Sequence, residues 1–212
     1  MNKKKFYSYG LFTNTKKNKT LCYYPVPKNA NTSAKLFFAK HLGIEDRLIH
    51  TEKPLYKIIP NEDFKGKTPV WKWLPSKNAF VKQEVDYACC LTRNPIKRFI
   101  SSYKNRILYH KDREFYNHSI DMVLDKIEKN NFENKHFLPQ NYFLGKDINY
   151  FSIISNTNNI KIFEEKVNDF FGKRVSFPHL QTGGSDIDIN VSALQIKRIE
   201  KIYQEDFELF KL

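Results

Sequence analysis

The sequence is poor in the features that mark disulfide-stabilised, fibrous or membrane-spanning proteins. Its 212 residues include 7 glycines, 9 prolines and 3 cysteines. Two of the cysteines are the neighbours Cys89 and Cys90, which would point to opposite faces of a strand and so do not suit a disulfide. No apolar run approaches the ~18 residues of a membrane span, and no signal-peptide core follows the basic start. These absences favour a cytoplasmic globular protein without a transmembrane segment.

Negative charge is also scarce in the first part of the chain. The first acidic residue is Glu45, and 9 lysines precede it. Over the whole chain 36 Lys and Arg face 23 Asp and Glu, and residues 93–113 carry seven cations against Asp112 alone. Such a field favours an anionic partner: a nucleotide, an acidic glycan, nucleic acid or a membrane surface. A solubilising basic surface is the plain alternative, so charge alone decides little.

Strand and helix patterns alternate along the chain, which predicts an α/β fold with a parallel sheet covered on both faces. We expect one domain over residues 1–212, with a basic and partly flexible N-terminal segment at 1–20 and an irregular excursion at 44–80. The predicted strands are 21–26, 86–92 and 150–154. The predicted helices are 32–40, 95–108, 119–130, 160–171 and a final helix that Ser192 caps.

Residues 24–33, with the sequence YPVPKNANTS, predict a strand that leads through a tight turn into a helix. The start of a helix has unpaired backbone N–H groups and the positive end of the dipole, so it can bind phosphate or sulfate. Thr32 and Ser33 add hydroxyl donors and Lys28 adds a charge. The segment is not a Walker A loop, because no glycine lies between Gly10 and Gly43. An ordinary turn capped by Asn31 or Thr32 is the alternative.

Residues 91–103, with the sequence LTRNPIKRFISSY, predict a second strand that ends in a helix. Arg93 stands at the end of the strand, and Ser101 lies eight residues on within the helix. An arginine at the carboxyl edge of a sheet and a serine two turns along a helix can hold one phosphate from two sides. A basic surface helix after a proline turn is the alternative if this segment is taken alone.

Together the two segments resemble the nucleotide-binding motifs of sulfotransferases that use 3′-phosphoadenosine 5′-phosphosulfate (PAPS). Residues 27–33 are similar to the 5′-phosphosulfate loop of that family, and residues 93–103 to its 3′-phosphate segment. The likeness is strongest to the family-2 branch, which modifies carbohydrates. Weaker likenesses at residues 136–140 (HFLPQ), 178–182 (PHLQT) and 202–210 extend it over about residues 21 to 210. One departure is Asn29-Ala30 where many members have Ser-Gly; asparagine tolerates the left-handed backbone of such a turn.

The resemblance implies a three-layer sandwich with a central parallel sheet, the P-loop-nucleotide-transferase-like fold of sulfotransferases. It implies PAPS as cosubstrate, no metal, and a carbohydrate acceptor rather than nucleic acid as partner. Lys28 would donate to the bridging oxygen as the nucleotide leaves. The other implied nucleotide-binding residues are Asn29, Ala30, Asn31, Thr32 and Ser33 at the 5′-phosphosulfate, Arg93 and Ser101 at the 3′-phosphate, and His179 and Thr182 beside the Gly183-Gly184 loop.

A hydroxyl acceptor needs a general base, and His136 in the family-like His-x-x-Pro-Gln segment is the candidate. With an ordinary pKa of ~6.5 it would be mostly neutral at pH 7. The aromatic pair Tyr142-Phe143 nearby could face a sugar ring. Glu84, Asp86 and the other histidines are alternatives for the base.

Two other functions stay open on the sequence alone. An ATP-dependent phosphotransferase would share the fold, although no Walker A loop is present. A nucleic-acid-binding module would suit the charge of +13 and the 12 tyrosines, although no known DNA or RNA motif is visible.

Overall fold

The computed structural model describes residues 7–14, 16–45, 70–76, 80–129, 131–132, 134–180 and 183–212. Its strands are β1 (Tyr7–Asn14), β2 (Lys19–Tyr24), β3 (Val70–Ser76), β4 (Tyr87–Thr92) and β5 (Ile153–Asn156). They form one sheet in the order β3-β1-β2-β4-β5. The α/β class is therefore confirmed.

The sheet is mixed rather than wholly parallel. β2 pairs with β4 and β4 pairs with β5 in parallel, and these are the three strands that the sequence predicts. β1 runs antiparallel to both β2 and β3. Residues 7–14 form a strand within the expected partly flexible segment 1–20. The expectation of irregular structure over residues 44–80 is wrong for residues 70–76. Pro75 within β3 is tolerated because an edge strand has one side on which no N–H donor is needed.

Parallel pairing aligns the carboxyl ends of β2 and β4. Tyr24 lies opposite Cys90, two residues from the end of β4. The chain leaves β2 toward Lys28 and leaves β4 directly into Arg93. The two motif segments therefore emerge at the same edge of the sheet, where α/β proteins place their ligands.

Most helices lie close to their predicted positions, and the short helix at Gln140–Leu144 is an addition to them. They are α1 (Asn31–Leu42), α2 (Pro95–Tyr103), α3 (Ile120–Glu128), α4 (Gln140–Leu144), α5 (Ile160–Phe171), α6 (Ala193–Ile202) and α7 (Gln204–Phe210). A π-helical stretch, Lys104–Tyr109, extends α2, and short 3₁₀ turns occur at Arg113–Phe115 and Ile148–Tyr150. Ser192 caps α6 in a capping box, as predicted. The single final helix is corrected to two, because the backbone turns at Tyr203.

Side chains of β2 and β4 alternate between the two faces of the sheet. Tyr23 and Cys89 belong to a cluster that α1 and α5 cover, with Phe37, Phe38 and Phe163. Tyr24 and Cys90 belong to a cluster on the other face, with Phe143 and Phe151. Cys89 and Cys90 thus lie in different clusters, as the strand period requires. Helices therefore pack on both faces of the sheet, and this packing fixes the positions of β2 and β4.

A third cluster joins α2, α3 and α6 around Phe99, Phe115, Phe137 and Tyr203. The Tyr203 hydroxyl donates to the carbonyl of Phe137 at 2.6 Å, which fixes the start of the 137–140 segment to the C-terminal helices. In the part of the chain that the structure describes, no helix is both long and apolar enough to cross a membrane.

Candidate active site

A cleft of about 810 Å³ opens at the carboxyl ends of β2 and β4. It brings together most of the residues that the sequence singles out. Its lining includes Lys28, Ala30, Asn31, Thr32, Ser33, Arg93, Ser101, His136 and His179. A side groove of about 380 Å³ continues from Arg93 and Ser101 toward Gly184. Thr182 lies outside the described residues.

The loop from β2 to α1 is held in a left-handed conformation at two positions. Lys28 has φ 69° and Ala30 has φ 53°, and Ala30 is the N-cap residue of α1. Within the described chain no side chain caps this helix, so the expected cap by Asn31 or Thr32 is not formed. Thr32 is exposed at the first turn. The N–H groups of that turn are consequently available to an anion in the cleft.

Asn29 lies behind the loop rather than on the cleft surface. It is 0% exposed, and its side-chain amide donates to the carbonyl of Leu91 at 2.7 Å and to Gln140 Oε1 at 2.6 Å. Its backbone N–H donates to the carbonyl of Val26 at 3.2 Å. The left-handed residues are its neighbours, so the expectation that Asn29 itself takes that conformation is wrong. Asn29 fastens the loop to the sheet.

Gln140 connects the two motif segments. It is 0% exposed, accepts from Asn29 Nδ2 and from the backbone N–H of Arg93 at 3.0 Å, and donates to the carbonyl of Arg93 at 2.8 Å. The guanidinium of Arg93 in turn donates from Nη1 to the carbonyl of Lys28 at 2.8 Å. The 5′-loop and the end of β4 are thus joined directly and through one buried glutamine. Gln140 belongs to the family-like segment at residues 136–140, but the sequence of that segment did not predict that Gln140 links the two motif segments.

Two further buried residues, Arg98 and Asp206, support this arrangement. Arg98 donates from Nε to the carbonyl of Pro27 at 3.0 Å and from Nη1 to the carbonyl of Leu138 at 2.7 Å. Asp206 accepts from the backbone N–H of Gln140 at 2.6 Å and of Asn141 at 2.9 Å, and so caps α4 from a distant part of the chain. Sequence reasoning missed both, although Asp206 stands within the C-terminal family-like segment.

The described lining of the cleft carries no carboxylate and several cations. Burial lowers the pKa of Lys28 to about 8, and the charges of Arg93 and Arg106 add to this effect. Burial also lowers the pKa of Lys35 to about 8, with the charge of Lys135 as a second cause. Lys35 follows Asn31 by one helical turn, a spacing that could have indicated it. Positive groups gathered without counter-charges form a site for a polyanion.

His136 lies in the same cleft, surrounded by positive groups. Burial lowers its pKa to about 2, and the charges of Arg106, Lys135, Lys28 and Arg98 act in the same direction. The expectation of an unperturbed pKa is therefore wrong. The imidazole is neutral at pH 7 and has a lone pair to accept a proton. A bound anion would offset the positive field and raise this pKa.

The carboxylate alternatives for the base lie elsewhere. Asp86 precedes β4 at the opposite end of the strand, and the hydrogen bond from Lys19 is the first cause that lowers its pKa to about 2. Glu84 lines the same separate groove as Asp86, with Lys82 and Tyr150. The structure does not bring either carboxylate to the cleft that contains Lys28.

The positions of the other aromatic and histidine candidates show which of them lie in the cleft and which lie in the core. Phe143 is 1% exposed in the core and Tyr142 packs on the same cluster, so the prediction that they face a sugar is wrong. His41 is buried against Phe37 and Phe171. His110 lines the cleft beside Tyr109. His50 lies outside the described residues.

The Gly183-Gly184 loop closes one side of the cleft against the π-helical stretch. Asn105 Nδ2 donates to the carbonyl of Gly183 at 2.8 Å. Gly184 has φ 88°, and a β-carbon there would lie 2.8 Å from the carbonyl oxygen of Lys104, which explains the glycine. On the other side, the Ser33 hydroxyl accepts from the backbone N–H of Leu180 at 3.2 Å. Leu180 thus contacts the first turn of α1, and Gly183 and Gly184 contact the π-helical stretch that follows α2.

A model of the sulfotransferase family, in its family-2 branch, matches residues 12–212. Neither a search of curated proteins nor a search of solved structures found a match.

Proposed function

Since the chain belongs to the sulfotransferase family, we propose that it moves a sulfuryl group from PAPS to a hydroxyl of a carbohydrate. Family membership supports sulfuryl transfer in general, and the donor and acceptor are the proposal. The observation that carries it is the joining of two phosphate-binding segments at one cationic cleft. Lys28, Thr32 and Ser33 come from one segment, and Arg93 and Ser101 come from the other.

The two segments suit the two ends of such a donor. The open first turn of α1, with Thr32 and Ser33, offers N–H and hydroxyl donors for a 5′-phosphosulfate. Arg93 and Ser101 line both the main cleft and its side groove, where a 3′-phosphate would be held apart from the reacting end. The guanidinium of arginine can donate two parallel hydrogen bonds to one phosphate, and a serine hydroxyl can donate a third.

The transfer needs a proton donor and a proton acceptor at the reacting centre. The bond between sulfur and the acceptor oxygen forms while the bond between sulfur and the bridging oxygen breaks. Lys28, ammonium at pH 7, donates to the bridging oxygen as negative charge develops there. His136, neutral at the same pH, accepts the proton that leaves the acceptor hydroxyl. Both side chains line the same cleft.

The acceptor proposal has its support in the family-2 branch and in the size of the cleft. The volume of about 810 Å³ lies toward the upper end of the range of ligand pockets, as a cleft for two substrates requires. The lining of the cleft is mixed, with Asn158, Ile160 and Phe177 beside the polar groups. A surface of this kind suits the alternating polar and apolar faces of sugar rings.

Transfer of labelled sulfate tests the proposal. The protein is incubated with ³⁵S-labelled PAPS and a panel of oligosaccharides, and product sulfation and nucleotide release are measured together. We expect label in a glycan and an equal amount of 3′-phosphoadenosine 5′-phosphate, both reduced by about 10²-fold or more in Lys28→Ala. Transfer of the γ-phosphate of ATP to the same panel, without sulfation, would contradict the proposal.

A further inference from the structure

A series of hydrogen bonds extends behind His136, away from the cleft. Arg106 donates from Nε and Nη2 to the two carboxylate oxygens of Asp112, each at 2.6 Å. Asp112 Oδ2 accepts from Asn134 Nδ2 at 2.8 Å. Asn134 Oδ1 lies 2.7 Å from His136 Nδ1 and also accepts the backbone N–H of His136 at 3.0 Å. Asn134 itself is buried.

These contacts determine which ring nitrogen carries the proton. An ionised carboxylate can only accept, so the side of Asn134 that faces Asp112 must be its NH₂ group. Its carbonyl oxygen therefore faces His136, and the backbone N–H of His136 points to that same oxygen. A carbonyl oxygen cannot donate, so His136 Nδ1 must hold the hydrogen. The lone pair of the neutral ring is then on Nε2, which makes no hydrogen bond to the described part of the chain.

We propose that Asn134, anchored by the Arg106–Asp112 pair, is a positioning residue that holds His136 in the Nδ1–H tautomer. In this tautomer Nε2 is the atom that takes the acceptor's proton. The inference rests on the proposed role of His136 as the base. Asn134 touches neither the donor nor the acceptor; it acts only through the imidazole ring.

The neutrality of Asn134 also has a consequence for the strength of the base. The charged groups that face His136 are Arg106, Lys135, Lys28 and Arg98, all positive. A carboxylate at position 134 would stabilise the imidazolium ion directly. The neutral amide of Asn134 links Asp112 to the imidazole by hydrogen bonds but brings no charge to the ring. The negative charge of Asp112 is paired with Arg106. The arrangement orients the ring and keeps it neutral.

Nitrogen NMR of the ¹⁵N-histidine-labelled protein reads the tautomer without any assay of activity. His136 signals are assigned by their loss in His136→Ala. We expect the wild type at pH 7 to show His136 protonated at Nδ1 and unprotonated at Nε2. A spectrum with the proton on Nε2 would overturn the inference, whatever the variants do.

Variants then test the role of Asn134. In Asn134→Ala the Nε2–H tautomer should gain population, and kcat should fall by about 10- to 10²-fold, part of what a whole base contributes. Affinity for 3′-phosphoadenosine 5′-phosphate should change by less than about twofold, since no donor contact is lost. Asn168→Ala is the matched control. It removes another buried asparagine, which bonds to both backbone groups of Val175, and it should leave the tautomer and the pH profile unchanged.

The double exchange Asp112→Asn with Asn134→Asp keeps a hydrogen bond between the two positions and moves the charge next to the ring. The acidic limb of the kcat profile should then shift to higher pH by at least about one unit, because the imidazolium ion gains a partner. An unchanged limb together with an unchanged tautomer in Asn134→Ala would refute the inference. Full activity of His136→Ala would instead refute the base assignment, and the tautomer measurement would still stand on its own.

Discussion

Replacing Gln140 with leucine should weaken both the fold and donor binding, because Gln140 is the buried link between the two segments that are proposed to hold the donor. Leucine has a similar volume, so the change removes hydrogen bonds with little change in packing. The backbone N–H and C=O of Arg93 each lose a partner, and Asn29 loses one of its two. An unsatisfied buried polar group costs about 1–3 kcal/mol. Arg93 is only half-buried, so water offsets part of this, and we expect a loss of about 2–4 kcal/mol in the free energy of unfolding.

Urea unfolding followed by circular dichroism measures this loss, with an unchanged m-value as evidence that the transition remains two-state. The matched control is Gln204→Leu, an exposed glutamine whose side chain bonds to Glu208, which should change stability by no more than about 0.5 kcal/mol. The affinity of Gln140→Leu for 3′-phosphoadenosine 5′-phosphate should fall by about tenfold, since Arg93 and the 5′-loop lose their common anchor. A loss of stability no larger than that of the control would refute the reasoning.

Two other results are expected. Lys28→Ala should lower kcat by about 10²-fold or more with a smaller effect on the affinity for product nucleotide, because its charge acts on the leaving oxygen; near-normal turnover in steady-state assays would exclude that role. Burial lowers the pKa of His41 to about 4, so between pH 6.5 and 4 the unfolded chain binds a proton that the folded chain does not. Stability should therefore be complete above pH 6.5 and fall by about 2 kcal/mol between pH 6.5 and 5 through this residue. His41→Leu should remove that part of the acid dependence in urea titrations at each pH, and an identical dependence in the variant would contradict it.

The parallel part of the sheet and most helices could be predicted because their signals are local. The short, mostly apolar run of residues 87–92 indicates a buried strand, and the Ser192 cap indicates a helix start, without reference to the rest of the chain. β1 and β3 escaped prediction because each is defined mainly by its partner. β1 lies among lysines and polar residues, and β3 contains a proline that only an edge position tolerates.

The candidate site divides in the same way. Lys28, Arg93 and Ser101 could be found because their spacing along two strand-to-helix turns is itself the signal. The residues that join the segments could not, because their contacts cross large distances in sequence. Gln140 and Asp206 act on partners 47 to 111 and 65 to 66 positions away. The lowered pKa of His136 was missed for a similar reason, since the cations around it converge only in the fold.

The most direct test of the central claim is a pair of calorimetric titrations, one with 3′-phosphoadenosine 5′-phosphate and one with ADP. The account predicts that the 3′-phosphorylated nucleotide binds at least about tenfold more tightly, because Arg93 and Ser101, which line the cleft, are proposed to hold the 3′-phosphate. Arg93→Ala should remove most of that difference, because it should weaken binding of the first ligand much more than binding of the second. Equal affinity of the wild type for the two nucleotides would contradict the account.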